Sequence, residues 1–247
     1  MRLKVLGTQS PYNTAGHNCP GFLISDKTSK ILLDCGSGSH SLLAFPDDLK
    51  NLSVIISHLH RDHYNDIFNL LYASYVFKNQ GDLEKPIDIY LPRNPKKNYL
   101  DIIEEEIGFA NYYSYNEYTI YWIGNFLVSF CKTAHPIDTY AVKIKKGKKT
   151  IVYTADTSFA CADRLIEFAK GADILICESS LLESYHSKAE SVHLTAKQAG
   201  LIAKNANVKR LLLTHLWPEE LPDNYLNEAR DVFLNAYIAQ EGDIIVI

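Results

Sequence analysis

The chain has 247 residues, a net charge of −4 and 47% hydrophobic residues, enough for one α/β domain spanning residues 1–247 with a substantial core. The acidic balance argues against a protein that lives on nucleic-acid backbone, which is usually basic on at least one face. No apolar run is long enough to span a bilayer.

Met1–Gly7 reads as a short strand and turn without the longer apolar stretch of a secretion signal, so a cytoplasmic location is expected. Strands are predicted over Leu3–Gly7, Gly21–Ser25, Lys30–Asp34 and Ser53–Ser57. Tyr64–Phe77 has helical spacing, with Ile67, Leu70, Leu71 and Ser74 on one face. A strand at Ile87–Leu91 and an acidic helix over Asn98–Ile107 follow, and then an aromatic segment, Phe109–Tyr115, that reads as a loop. Tyr118–Trp122, Phe126–Thr133, Tyr140–Ile144 and Thr150–Thr154 read as consecutive strands, Asp163–Lys170 as a short helix and Ile174–Cys177 as a buried strand. Thr195 and Gln198 form a capping signature that starts a helix over Thr195–Asn205. Arg210–Thr214 is a strand, Asn224–Ala239 a last helix and Asp243–Ile247 a final strand. Interleaved strands and helices in both halves point to layered sheets covered by helices. The cysteines (Cys19, Cys35, Cys131, Cys161 and Cys177) are scattered, with no C-x-x-C pair, as expected of free thiols in a reducing compartment. Lys143, Lys145, Lys146, Lys148 and Lys149 surround Gly147 between two strands and read as a solvated hairpin tip, with a phosphate-binding patch as the alternative.

The densest chemical signal is His58-Leu59-His60-Arg61-Asp62-His63, an H-x-H-x-D-H motif directly after the β-branched run Ser53–Ser57. His58 and His60 alternate and point the same way from an extended segment, while Asp62 and His63 lie past the turn, where a second ion can sit. Imidazole and carboxylate suit zinc, manganese or iron. His135, Asp156 and His215 each follow a predicted strand and extend the set.

In this order the residues resemble the metallo-β-lactamase superfamily. The resemblance implies an αββα sandwich of two mixed β-sheets flanked by helices, with the site at one rim. It also implies two divalent metal ions, zinc or alternatively manganese: His58, His60 and His135 would hold one, Asp62, His63 and His215 the other, and Asp156 would bridge them. Two cations about 3.5–4 Å apart lower the pKa of a bridging water and stabilise charge on a phosphoryl group. Aspartate at Asp156, where many β-lactamases of this fold carry cysteine, argues against a β-lactam substrate. Histidine at His60 argues against the flavodiiron pattern.

The segments Ala172–Ser180, Val192–Gly200 and Leu211–His215 resemble ribonuclease Z. That resemblance implies His193 as proton donor to the leaving oxygen, supported by Glu178, with Asp62 in the catalytic set. A carboxylate beside an imidazole raises the ring's pKa and makes it a workable acid. Ribonuclease Z carries a tRNA-binding arm where this chain has only the Lys-rich hairpin, so a stable nucleic-acid partner is not expected. The compact chain is similar to the viral anti-Pycsar enzymes, cyclic nucleotide phosphodiesterases that act against bacterial defence signals. The expected activity is therefore hydrolysis of 3′,5′-cyclic nucleotides, such as cyclic CMP or UMP, to 5′-monophosphates. A ribonuclease Z-type tRNA 3′-processing endonuclease is the alternative. Tyr112 and Tyr113 are candidate base-stacking residues on a lid, or else packing at a dimer interface. The anti-Pycsar resemblance implies a homodimer. His17, Asn18 and Gly36-Ser37-Gly38-Ser39 can approach phosphate, although turn architecture explains them as well.

Overall fold

Alternation along the strands assigns the layers. Phe22 and Ile24 enter one buried cluster while Leu23 between them enters another; Ile151 and Tyr153 divide in the same way from Val152, and Ile174 and Ile176 from Leu175. Strands buried on both faces read as near-continuous apolar runs without a clean polar alternation.

The computed structural model describes residues 1–105, 109–185 and 192–247. β1 (Arg2–Gly7), β2 (Gly21–Ser25), β3 (Lys30–Leu33), β4 (Leu52–Ile55), β5 (Ile87–Leu91) and β6 (Ala110–Ser114) build the first sheet. β7 (Ile120–Ile123), β8 (Phe126–Lys132), β9 (Tyr140–Lys146), β10 (Lys149–Tyr153), β11 (Ile174–Glu178), β12 (Leu211–Thr214) and β13 (Ala236–Ile238) build the second, and β14 (Ile244–Val246) returns to the edge of the first. Each sheet has seven strands, in the orders β14-β1-β2-β3-β4-β5-β6 and β13-β12-β11-β10-β9-β8-β7. The β3–β6 and β10–β13 pairs are parallel and the remainder antiparallel, so both sheets are mixed. One cluster, including Val5, Phe22, Phe126 and Tyr153, fills the space between the sheets. A second packs the helices Ala162–Ala169, Ala196–Asn205 and Pro222–Arg230 on the outside of the second sheet, and a third packs Ile67–Asn79 and Lys96–Glu105 on the outside of the first. This is the expected αββα sandwich.

The predicted capping box is present: Gln198 N donates to Thr195 Oγ1 at 3.2 Å, and Thr195 N donates to Gln198 Oε1 at 3.0 Å. The helix expected over Tyr64–Phe77 instead has a separate single turn, Arg61–Tyr64, followed by Ile67–Asn79, which buries the anticipated Ile67, Leu70, Leu71 and Ser74. Residues 106 and 107, at the end of the expected acidic helix, lie outside the described residues.

Two expectations need correction. The aromatic segment expected as a loop contains the strand β6, paired parallel to β5. Tyr112 packs with the outer-layer cluster of the first sheet, while Tyr113 stacks on Tyr90 at 4.9 Å, a period-two split that suits aromatic residues on a pleated surface. The helix expected over Asn224–Ala239 runs only over Pro222–Arg230, and Ala236–Ile238 pairs in register with Leu211–Leu213. Sheet pairing there outweighs helix propensity.

Candidate metal centre

The site forms where strand ends of both sheets meet at one rim. His58 and His60 leave β4, and Asp62 and His63 occupy the one-turn helix Arg61–Tyr64 beyond it. His135, Asp156 and His215 follow β8, β10 and β12 of the opposite sheet. Two of these exits use left-handed backbone on non-glycine residues, Ala155 (φ 52°) and His215 (φ 61°), and so does Asp34 (φ 56°) at the end of β3. Such conformations cost roughly 1–2 kcal/mol each and persist where surrounding contacts over-determine them. Gly36 allows the close approach that seats the Asp62 turn, since a Cβ there would lie 2.0 Å from the Asp62 carbonyl oxygen.

The structure brings all seven expected ligands together. His58, His60, His135 and Asp156 form one group whose candidate donor atoms lie within 4.8 Å of one another, and Asp62, His63 and His215 form another. The Asp156 carboxylate is split between them. Its Oδ2 lies 3.5 Å from His58 Nε2 and 3.7 Å from His135 Nε2. Its Oδ1 lies 3.1 Å from His215 Nε2 and 3.3 Å from His63 Nε2. Oδ1 is buried without a hydrogen-bond donor, an orphaned acceptor that a cation would satisfy. His60 Nδ1 also sits 3.2 Å from His58 Nε2 and 3.1 Å from His135 Nε2, a convergence of ring nitrogens suited to sharing a cation.

Two buried carboxylates, Asp34 and Glu178, orient the imidazoles, and the sequence resemblance assigns a role to Glu178 alone. Asp34 accepts from Ser57 N (2.6 Å), Ser57 Oγ (2.8 Å), His63 Nδ1 (2.7 Å) and Tyr153 OH (2.8 Å). Ser57 Oγ in turn accepts from His58 Nδ1 at 3.0 Å. Glu178 does the same for the second sheet: Oε1 meets His193 Nδ1 at 3.0 Å and Thr157 N at 2.7 Å. Its Oε2 accepts from Ser180 Oγ at 2.9 Å, and Ser180 Oγ accepts from His215 Nδ1 at 2.7 Å. Each carboxylate therefore fixes one histidine directly and a second through a serine, turning the Nε2 atoms of His58, His63 and His215 toward the centre. His135 Nδ1 is fixed by the Val192 carbonyl at 3.2 Å, and Ser10 Oγ donates to Asp62 Oδ2 at 2.6 Å. Asp34 carried the same signal as Asp156, a carboxylate at the end of a buried strand. Ser10, Ser180 and Tyr153 carried none.

Charge is arranged accordingly. Burial, together with the neighbouring His58 imidazole, holds His60 at about 4. Burial likewise holds His135 at about 4. Burial also lowers His58, so these rings are neutral at pH 7. For Asp62, burial opposes ionisation, but His63 and His215 outweigh it and keep the carboxyl well below its ordinary range. Asp156 is lowered by its surrounding histidines in the same way. For His63, burial opposes the charge, but Asp156, Asp62 and Asp34 raise its pKa well above the ordinary imidazole value. A proton on His63 thus balances a cluster of carboxylates where a cation would otherwise do so. Neutral imidazoles and ionised carboxylates are the forms that bind divalent metal, so the residues fit the implied ions.

The remaining candidates are placed differently. His193 borders the centre, with its ring centroid 5.2 Å from that of His215 and 5.5 Å from that of His135. His17 is exposed, with Nδ1 3.4 Å from Glu241, and Asn18 Nδ2 donates to the Leu6 carbonyl at 2.9 Å while its side chain packs on Gly38. Tyr112 and Tyr113 lie on β6, away from the residues lining the cavity beside His193 and His215. On the Lys-rich hairpin, Lys146 pairs with Asp26, Lys149 with Asp173 and Lys143 covers the Phe168 ring, so much of that charge is already partnered.

The sequence matches the family model for the anti-Pycsar protein Apyc1 over residues 1–231. The chain belongs to the anti-Pycsar Apyc1 family. Among its relatives, the probable metallo-hydrolase YhfI of Bacillus subtilis is 33% identical over 240 residues, covering 94% of both chains. The crystal structure of YhfI, described as a metallo-beta-lactamase fold protein, matches with a TM-score of 0.88 and 31% identity over 99% of each chain. A ribonuclease Z of Chlamydia trachomatis is 27% identical over 292 aligned positions, covering 97% of this chain and 95% of the relative. Human tRNase Z, short form, shares the fold with a TM-score of 0.77 and 21% identity, covering 100% of this chain and 99% of that one. This member of the Apyc1 family is a metallohydrolase with the metallo-β-lactamase fold, and its His/Asp cluster supports divalent metal ions. Among the described residues, no helix is long and apolar enough to cross a membrane.

Proposed function

We propose that the protein is a dinuclear, zinc- or manganese-dependent phosphodiesterase that converts 3′,5′-cyclic nucleotides to 5′-monophosphates. The observation that carries this reading is the division of the Asp156 carboxylate between two donor sets, immediately beside a histidine braced by a buried glutamate. A divalent pair in such a donor set supplies Lewis acidity and lowers the pKa of a coordinated water.

The protein's own groups supply the rest. Burial opposes a charge on His193, but the Glu178 carboxylate outweighs it and raises the ring to about 9, so its Nε2 carries a proton at neutral pH. His193 then donates that proton to the departing 3′ oxygen while Glu178 holds the ring by its other nitrogen. Ser10 and Asp34 keep Asp62 and His63 in position. The family match supports a cyclic nucleotide as substrate.

The ribonuclease Z relatives support a second reading, cleavage of tRNA 3′ trailers. Against it, the alignment with the Chlamydia enzyme runs to 292 positions, more than the 247 residues here, so that enzyme has insertions this chain lacks. Between His135 and Asp156 the chain forms only the tight hairpin β9–β10. An exposed apolar edge on β7, with Ile120 and Trp122 on one face and Tyr118 beside it, supports a homodimer.

The test is hydrolysis of cyclic CMP, UMP, AMP and GMP by metal-loaded protein alongside a precursor tRNA. Metal-dependent release of 5′-monophosphates with intact tRNA is expected; trimmed tRNA with intact cyclic nucleotides would select the ribonuclease reading.

A further inference from the structure

A cavity of about 270 Å³ is bordered by His193, His215 and Ser10 and shares Pro11, Ser180, Leu181 and Trp217 with a second of about 460 Å³, so the two form one trough leading away from the centre. The larger part lies within the range of roughly 300–1,000 Å³ typical of small-molecule clefts.

Two loops make its walls. Ser10-Pro11-Tyr12 lies against the segment after β12, with Ser10 N donating to the Leu216 carbonyl at 3.1 Å and Leu216 N to the Thr8 carbonyl at 2.9 Å. Trp217 N donates to Tyr225 OH at 3.3 Å, and Tyr225 OH donates to the Ser180 carbonyl at 3.1 Å, which fixes the tryptophan backbone to the floor. The Trp217 and Tyr12 side chains nevertheless stay 40% and 45% exposed, large aromatic surfaces left uncovered beside a polar centre. At the far end, Glu219 accepts from Tyr12 OH through Oε1, and Glu220 lines the same wall.

The geometry points to this trough as the seat of the nucleotide base, stacked on Trp217 and Tyr12, with Glu219 selecting a base that carries an exocyclic amine. The inference rests on the phosphodiesterase reading and names the substrate class within it. A phosphate held at the metal centre directs the rest of the nucleotide into the adjoining space, and that space continues past His193 and His215 along Trp217. Aromatic faces stack on any base and are worth about 1–3 kcal/mol per base. A carboxylate discriminates further: it accepts from the amine of cytosine or adenine, whereas the keto oxygen of uracil opposite it leaves two acceptors with no proton between them.

The test compares wild type, Trp217→Ala, Trp217→Phe and Glu219→Gln, all metal-loaded, on cyclic CMP, cyclic UMP and 1-deoxyribose 3′,5′-cyclic phosphate, which has no base. Trp217→Ala is expected to lower the kcat/KM ratio of cyclic CMP over the abasic compound about tenfold, with Trp217→Phe restoring most of it. Glu219→Gln, which keeps an acceptor for Tyr12, is expected to lower the cyclic CMP to cyclic UMP ratio about tenfold. Binding gives an independent readout. The chain has two tryptophans, so Trp122→Phe leaves Trp217 alone, and cyclic CMP added to the metal-free protein should quench its fluorescence. Unchanged ratios and no quenching, with brisk turnover of cyclic nucleotides, would overturn the trough alone. A collapse of the ratio in Tyr113→Ala but not in Trp217→Ala would also overturn it, placing the base on β6. Wild-type protein that leaves every cyclic nucleotide intact would overturn both this inference and the reading beneath it.

Discussion

Asp34→Asn isolates the orienting carboxylate of the first sheet from the metal ligands themselves. Asparagine keeps the shape and tolerates the left-handed backbone at φ 56°. Its amide, however, has one acceptor and one donor end, while every neighbour of Asp34 donates: Ser57 N and Oγ, His63 Nδ1 and Tyr153 OH, all at 2.6–2.8 Å. Whichever way the amide turns, an NH₂ group faces at least one of these donors. Hydrogen bonds to charged groups are worth about 1.5–3 kcal/mol each, and the side chain is fully buried, so a loss of about 3 kcal/mol in folding stability is expected. For a chain of this length that corresponds to a fall of roughly 6–12 °C in Tm. Because His63 loses its direct partner and His58 the serine relay, metal affinity should fall by about 10- to 100-fold. Thermal unfolding of the metal-free proteins gives the first quantity and chelator competition the second. An Asp34→Asn protein with wild-type Tm and metal affinity within twofold of wild type would refute the argument that this carboxylate positions the imidazoles.

Glu178→Gln should move the basic limb of the kcat–pH profile. His193 is raised to about 9 against the opposing effect of burial, so its proton is present below that value and lost as pH rises through it; with the carboxylate gone and burial still acting, the limb should fall by more than about two pH units. A limb that stays in place would remove His193 as the acid. Chelation should lower Tm, because ions that bind the folded state alone stabilise it by about 2.7 kcal/mol at a hundredfold excess over Kd, or about 5–10 °C here. A scanning calorimetry trace unchanged by chelator and by added zinc would argue against a bound metal.

Much of this was legible in the chain. His58, His60, Asp62 and His63 announced themselves because ligands close in sequence on a strand exit stay close in space. His135, Asp156 and His215 were readable because each ends an apolar run. Asp34 is not, although it too ends such a run, since nothing in sequence links it to His63, which lies beyond the end of the neighbouring parallel strand. Tyr153 reaches Asp34 only through the stacking of the two sheets, and Ser180 reaches His215 only through the pairing of β11 with β12, neither of which local pattern encodes. Ala236–Ile238 reads as helix for the same reason, its strand character coming from Leu211–Leu213 alongside. Tyr112 and Tyr113 showed their composition but not their alternation, and so read as a loop.

The two donor groups that meet at Asp156 each draw from both halves of the sandwich: His58 and His60 against His135, and Asp62 and His63 against His215. The centre is therefore a caliper set across the gap between the layers, and its jaws open or close with whatever fills that gap. Phe22 and Tyr153, ring centroids 5.3 Å apart in the inter-sheet layer, act as a shim below it. A substitution at Phe22, a residue that touches no ligand, would alter the spacing of the donors by changing how far apart the layers rest, so drift in the core can tune the chemistry while every ligand stays the same.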